Sequence, residues 1–99
     1  MKIKVSEATP VHLDWMVARC EGAYLPAPYS YSTNWLFGGP IIEREDLSVW
    51  RAYAGLDGWR SESGKVFATG WGPTPLIAAM RCYVVSKLGD EVDVPEELT

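Results

Sequence analysis

The chain is poor in the residues that most enzymes and metal sites use, since its 99 residues include one histidine and two cysteines. His12 lies in the first turn of a predicted helix, and neither Ser6 nor the cysteines Cys20 and Cys82 stand in a nucleophile motif. This set also falls short of the paired ligand spacing of a zinc site. We therefore predict no catalytic set, no metal site and no cofactor, and a protein that is not an enzyme.

Long hydrophobic runs are absent as well. Residues 1–5 are charged and no apolar segment follows them, so the sequence predicts neither a signal peptide nor a membrane span. Both cysteines fall in apolar helical patterns, which favours buried thiols that stay reduced; a disulfide would require the two helices to pack with closely placed Cβ atoms. We therefore expect a cytoplasmic protein with no membrane partner.

Basic residues are outnumbered by acidic ones. Nine Lys and Arg stand against 13 Asp and Glu, which gives a net charge of −4 and a pI of about 4.8. Because phosphate backbones bind basic surfaces, this balance predicts no nucleic-acid partner. The hydrophobic fraction of 47% predicts a globular chain. Its length predicts a single domain, residues 1–99, whose residues 90–99 form an acidic tail.

Apolar periodicity and capping residues predict two helices. The first covers residues 10–21, with Thr9 as its N-cap and a proline at its first position. The second covers residues 75–88, between the N-cap Thr74 and the stop signal Gly89.

Alternating residues and glycine turns predict the strands. These cover residues 2–5, 47–54, 59–62 and 65–69, with a hairpin connection at 55–58. Trp71 is predicted to lie in a bend before the second helix, and residues 90–95 either add an edge strand or lie along the surface. The fold class is α+β, a small antiparallel sheet in the order β-α-β-β-β-α with two helices packed on one face.

Residues 23–40 are predicted to lack a long regular element, because prolines and glycines interrupt the segment. Residues 32–35 are predicted to open a single helical turn, and residues 41–46 fit either a brief helix or an extended lead-in. The aromatic residues of this segment must pack on the sheet, line a pocket or form an interface. They are Tyr24, Tyr29, Tyr31, Trp35 and Phe37.

The main functional signal is aromatic density, with five Trp and five Tyr in the chain. Such rings form a core, stacking platforms for a base-like ligand, or the centre of a protein interface. Glycines permit close backbone approach, and arginines supply cations for an anionic ligand. A helix start attracts anions unless its N-cap, here Thr74, satisfies the free amides. The candidate ligand-binding residues are Tyr31, Trp35, Gly38, Gly39, Arg44, Trp50, Arg51, Trp71 and Thr74.

Several blocks of the sequence resemble the NinX family of lambdoid bacteriophages. They are residues 1–7 (MKIKVSE), 13–15 (LDW), 17–22 (VARCEG), 31–35 (YSTNW), 38–45 (GGPIIERE) and 71–84 (WGPTPLIAAMRCYV). Two departures stand out: the segment between Gly22 and Tyr31 is shorter than in many relatives, and Asn34 stands where an aspartate is common.

The resemblance implies a phage or prophage accessory protein in the cytoplasm of an infected bacterial cell. It supplies no established activity and no catalytic residues. Such a protein is compatible with binding and sequestering a small nucleotide-type ligand, so countering host immune signalling. The alternative is a protein-interaction module that inhibits or modulates a host protein. Because a small domain has few deep pockets of its own, we also expect a homo-oligomer.

Overall fold

Three helices and two antiparallel sheets make up the fold, which confirms the α+β class. The structure is a computed structural model, and it describes residues 1–22, 29–52 and 58–98. Short 3-10 helices cover Val5–Glu7 and Glu96–Leu98. The helices and strands are β1 (Lys2–Lys4), α1 (Pro10–Cys20), α2 (Trp35–Arg44), β2 (Leu47–Arg51), β3 (Trp59–Ser63), β4 (Thr69–Gly72), α3 (Pro75–Leu88) and β5 (Glu91–Asp93).

The strands separate into two sheets. β2, β3 and β4 form a three-stranded antiparallel sheet in that order, whereas β1 pairs with β5. In the second pair Lys2 lies opposite Asp93 and Ile3 lies opposite Val92. The acidic tail therefore contributes a strand, but its partner is the first strand and not the larger sheet. An alternating pattern indicates a buried face without naming the neighbouring strand.

Helix α3 is the centre of the packing. It lies on one face of the three-stranded sheet, and α1 and α2 pack in turn against α3. Ala78 and Ala79 are fully buried in this contact, together with Met80 and Val84. A Cβ atom at Gly70 of β4 would overlap the carbonyl oxygen of Ala78. Small side chains on both elements thus allow the helix backbone to approach the strand closely.

The predicted bounds of α3 are confirmed at both ends. The hydroxyl of Thr74 accepts a hydrogen bond of 3.1 Å from the amide of Ile77, and Gly89 follows the helix with a φ of 90°. At α1 the prediction is partly wrong. Thr9 takes the N-cap position, but its side chain makes no cap hydrogen bond, and its hydroxyl lies 3.5 Å from Nδ1 of His12.

Helix α2 contradicts the prediction of an irregular segment before residue 41. The side chain of Asn34 accepts a hydrogen bond of 3.0 Å from the amide of Leu36 and so starts the helix. Pro40 lies inside α2, where it removes one backbone donor without ending the helix. Gly38 and Gly39 therefore belong to a helix and not to a turn. Residues 23–28, which include Tyr24, lie outside the described residues.

The last strand of the larger sheet lies further along the chain than predicted. Residues 64–68 connect the strands, and the Ser63 hydroxyl accepts hydrogen bonds of 3.2 Å from the amides of Lys65 and Val66. Trp71 consequently lies in β4 and not in a bend. β2 ends at Arg51, before the predicted end, and residues 53–57 of the predicted hairpin lie outside the described residues.

Within the three described ranges of the chain, no helix has the length and apolar character that a membrane crossing requires.

Adjacent glycines of α2 provide a matched test of this packing. At Gly38 a Cβ would overlap the backbone oxygen of Tyr31, whereas at Gly39 the nearest atom is a ring carbon of Trp35 at 3.8 Å. We expect G38A to lower the free energy of unfolding by about 1–3 kcal/mol, because backbone atoms must move. G39A should instead raise it by up to about 1 kcal/mol, since alanine favours a helix. Urea denaturation measures both; equal effects would contradict the close approach at Gly38.

Candidate functional site

Arg81 is a half-buried cation on α3 that bonds to backbone carbonyls. Its Nη1 donates a hydrogen bond of 2.8 Å to the carbonyl oxygen of Trp71, and its Nη2 donates one of 2.9 Å to that of Ala8. Nε is buried and has no hydrogen-bond partner within the described part of the chain. Among the described residues no carboxylate forms a salt bridge with Arg81. Burial alone lowers the pKa of this guanidinium from its ordinary value.

Two clefts adjoin this guanidinium. The first has a volume of about 310 Å³ and lies among β4, α3 and the segments around β1 and β5. Its polar lining includes Lys4, Ser6 and Thr69, and also the acids Asp90 and Glu91. The second, of about 380 Å³, is lined by Gly58, Trp71, Gly72, Pro73 and Arg81. Trp71 and Arg81 therefore belong to both clefts, and we call the first the Arg81 cleft.

A row of aromatic and cationic side chains crosses the three-stranded sheet. Trp50 lies opposite Arg60, and Arg60 lies opposite Trp71 in the strand register. These residues alternate with Ser61 and Gly70, which are buried towards α3, so the row lies on the other face of the sheet. The guanidinium carbon of Arg60 lies 4.8 Å from the ring centroid of Trp71, a cation–π distance. Both tryptophans are half-buried.

The predicted ligand-binding residues do not form one cluster. Trp50 and Trp71 share the row across the sheet, whereas Arg51 occupies an alternate position, with its guanidinium carbon 5.7 Å from the ring centroid of Trp59. A second group lies at the start of α2. There Trp35 and Thr74 line a groove of about 190 Å³.

The remaining residues of the second group, Tyr31, Gly38 and Gly39, do not line that groove. Tyr31 is buried, and its backbone oxygen lies against Gly38. Gly39 faces the ring of Trp35. The side chain of Thr74 caps α3, so one amide that an anion would need is already satisfied.

Arg44 lies apart from both groups, in an ion-pair network that joins the three helices. Its Nη1 and Nη2 donate hydrogen bonds of 3.0 and 2.6 Å to the carboxylate of Glu21, and its Nε donates one of 2.8 Å to Glu45. The Tyr83 hydroxyl donates to the same Glu21 carboxylate at 2.5 Å. Lys87 adds a contact of 3.3 Å to Glu45. Carboxylates thus already neutralise Arg44, unlike Arg81.

The network sets the charge states of its members. Burial raises the pKa of Glu21, but hydrogen bonds from Arg44 and Tyr83 outweigh it and hold the pKa below its ordinary value of 4.5. The hydrogen bond from Arg44 likewise lowers the pKa of Glu45. Burial raises the pKa of the Tyr83 phenol, so this hydroxyl keeps its proton. The network consequently consists of two carboxylates, two cations and a neutral donor.

The two thiols are poorly suited to nucleophilic chemistry. Both cysteines are free. Burial raises the pKa of the Cys20 thiol to about 12 and also raises that of Cys82. Because only the thiolate is strongly nucleophilic, neither is activated. Over the three described ranges, no group of three or more His, Cys, Asp and Glu residues could hold a metal ion.

Arg60 and Arg81 are absent from the residues predicted as ligand-binding. A signal for Arg81 exists in the sequence, since it is the only charged residue between Pro75 and Ser86 of α3. A lone charge in an apolar helix needs a specific partner, because burying it unpaired is unfavourable. Nothing comparable marks Arg60, whose position beside Trp71 depends on the strand register.

One family model, described as Bacteriophage P22, NinX, matches residues 25–87 of the chain. The matched range contains Trp50, Arg60, Trp71 and Arg81, whereas Lys4 and Ser6 precede it. No curated protein matches the chain.

The ion-pair network predicts an acid-sensitive stability. Since the folded-state pKa values of Glu21 and Glu45 lie below 4.5, their contribution is complete above that pH and is lost as the pH falls through the lowered values. The double variant E21Q/E45Q should lose about 1–2 kcal/mol of unfolding free energy at neutral pH, allowing for the exposure of Arg44. Its stability should also fall less steeply in acid.

Urea denaturation over a series of pH values measures this difference. The matched control is E43Q, which removes an exposed carboxylate of α2 and should leave the pH profile of the wild type unchanged. Parallel profiles for the wild type and the double variant would contradict the role of the network.

Proposed function

The chain belongs to the NinX family of bacteriophage P22 and is a phage accessory protein, and we propose that it binds and sequesters a small nucleotide-type ligand in the Arg81 cleft. One observation carries this proposal: a desolvated guanidinium, which forms no salt bridge with a carboxylate of the described residues, lines a cleft of about 310 Å³ beside Trp71. Binding alone is enough for sequestration, so the function needs no catalytic group.

The guanidinium of Arg81 suits a phosphate group. It has five N–H donors, and the carbonyl groups of Trp71 and Ala8 use only two of them. A phosphate at this position would supply the missing negative charge in a site of low polarity, where charge-assisted hydrogen bonds are strongest. Lys4, which lines the same cleft, adds a second cation.

The surroundings favour a nucleotide over a simple anion. The cleft also has an apolar lining, from Val5, Val85 and Trp71, against which a base can pack. Asp90 and Glu91 can accept hydrogen bonds from ribose hydroxyls. These acids and the net charge of −4 disfavour a long polyanion, so the proposed ligand is small.

The proposed biological role requires binding alone. A phage protein that holds a host nucleotide signal lowers its free concentration when the protein is in excess of the signal and above its own dissociation constant. Such a protein would counter host immune signalling by keeping the free signal below the level that a host receptor needs.

Calorimetry against a panel of cyclic and ADP-ribose-type nucleotides, with inorganic phosphate alongside, tests the proposal. We expect at least one nucleotide to bind and R81M to weaken its binding by about tenfold or more, equivalent to the loss of one charged hydrogen bond. Silence across the panel, with a sample that melts cooperatively, would refute the proposal.

Because R81M also loses two hydrogen bonds within the protein, a second pair of variants is needed. S6E places a carboxylate at the lining of the Arg81 cleft, where it should compete with the ligand for Arg81. S48E adds the same charge on β2, at the opposite edge of the sheet from β4. We expect weaker binding only for S6E, and equal affinities for the two would place the ligand elsewhere.

The alternative function, a module that modulates a host protein, is favoured by a different observation. Phe67 is fully exposed in the connection between β3 and β4, beside the half-exposed Val66. Hydrogen bonds to Ser63 hold this connection in shape, so it presents an apolar side chain on a fixed support. Exposed aromatic anchors of this kind are common at the centre of protein interfaces.

Pull-down from host lysate distinguishes this alternative. A stoichiometric host partner that F67A loses and V11A keeps would support it, since Val11 is an exposed residue of α1 away from this connection. Retention of the partner by F67A would contradict a role for Phe67.

A further inference from the structure

A long stretch of the sequence contains no ionisable acid or base. Residues 23–42 include no Asp, Glu, Lys, Arg or His, although charged residues make up 22% of the chain. The described part of this stretch builds α2 and the segment before it. The described residues of this stretch, 29–42, therefore add no formally charged side chain to the surface that they form, on a protein that carries −4 overall.

This surface exposes large apolar side chains. Leu36 is 73% exposed, Trp35 is 54% exposed and Tyr29 is 46% exposed. Single exposed hydrophobic residues are ordinary, but neighbours in one patch mark an interaction site. We call these three residues the α2 patch.

Aromatic packing holds the patch in shape. The ring of Tyr29 stacks on that of Phe37 with a centroid distance of 4.7 Å, and Tyr31 meets both rings edge-on. The amide of Ser32 donates a hydrogen bond of 2.8 Å to Asp14, which ties the segment to α1. A surface ordered before binding loses less entropy when a partner arrives.

A groove adjoins the protruding side chains. Its volume is about 190 Å³, and Trp35 belongs to both the groove and the patch. The other lining residues are Ser32, Thr33, Thr74, Leu76 and Ile77. None of them is charged, so the groove suits an apolar side chain such as leucine.

We propose that the α2 patch is the contact between two copies of this chain, with Leu36 of each copy seated in the groove of the other. A two-fold contact requires one surface to carry both a protrusion and a complementary recess. The α2 patch and its groove meet that requirement side by side.

The lack of charge on the α2 patch and its groove permits contact between two like-charged copies. Two copies repel one another through their net charge of −4, and neither the patch nor the lining of the groove contains a charged residue that would oppose its counterpart directly. Symmetric dimer interfaces are also more apolar and poorer in charge than transient ones. This inference is independent of nucleotide binding.

Light scattering coupled to size-exclusion chromatography tests the contact over a dilution series. The wild type should have twice the 11.0 kDa mass of the chain. L36E should be monomeric, its dimer dissociation constant raised by about 100-fold or more, because the substitution would bury an unpaired carboxylate in a groove without charged residues. Since Leu36 is mostly exposed, the variant should fold, which a thermal melt confirms.

The matched control is F67E, which adds the same charge at a fully exposed apolar residue outside the patch and should remain dimeric. A monomeric wild type, or an L36E variant that stays dimeric, would overturn the proposal. So would a monomeric wild type that uses Leu36 to bind a host protein. Nucleotide binding is measured separately, so a failure here and a failure of the Arg81 cleft are distinguishable.

Discussion

The close contact between α3 and β4 is the constraint on which the rest of the structure depends. A side chain at Gly70 would have no room beneath Ala78, and the small side chains of Ala78 and Ala79 allow α3 to approach β4 closely. Helices α1 and α2 reach the core by packing on α3, so their positions follow from this contact. The same contact brings Arg81 to the edge of β4, where it bonds to the Trp71 carbonyl.

Arg44 and Arg81 lie in different electrostatic environments. Arg44 forms ion pairs with carboxylates in a network that connects three helices, so its charge stabilises the fold. Arg81 bonds to neutral carbonyl groups and keeps its net charge uncompensated within the described protein, although burial disfavours that charge. An uncompensated cation in a cleft is a feature that a purely structural role does not require.

Short sequence motifs predicted those elements whose ends depend on the backbone preferences of neighbouring residues. Helix α3 was predictable to the residue because Thr74, Pro75 and Gly89 mark its ends by their own backbone preferences. Helix α2 was not, because its glycines and proline are weak helix formers, and the tertiary contact of Gly38 with Tyr31 overrides that preference. The site was predicted only through single residues such as Trp71. Arg60 reaches the Trp71 ring through the strand register, and Arg81 reaches the Trp71 carbonyl through helix packing; no short stretch of sequence encodes either contact.

The two carbonyl groups that hold Arg81 also determine how the cleft would behave over time. The carbonyl oxygens of Trp71 and Ala8 hold both terminal nitrogens of the guanidinium, so Arg81 must break two hydrogen bonds before it changes rotamer. The cation is therefore ordered before any ligand arrives. For the ligand that we propose, the entropy of ordering this side chain would already be lost when the protein folds.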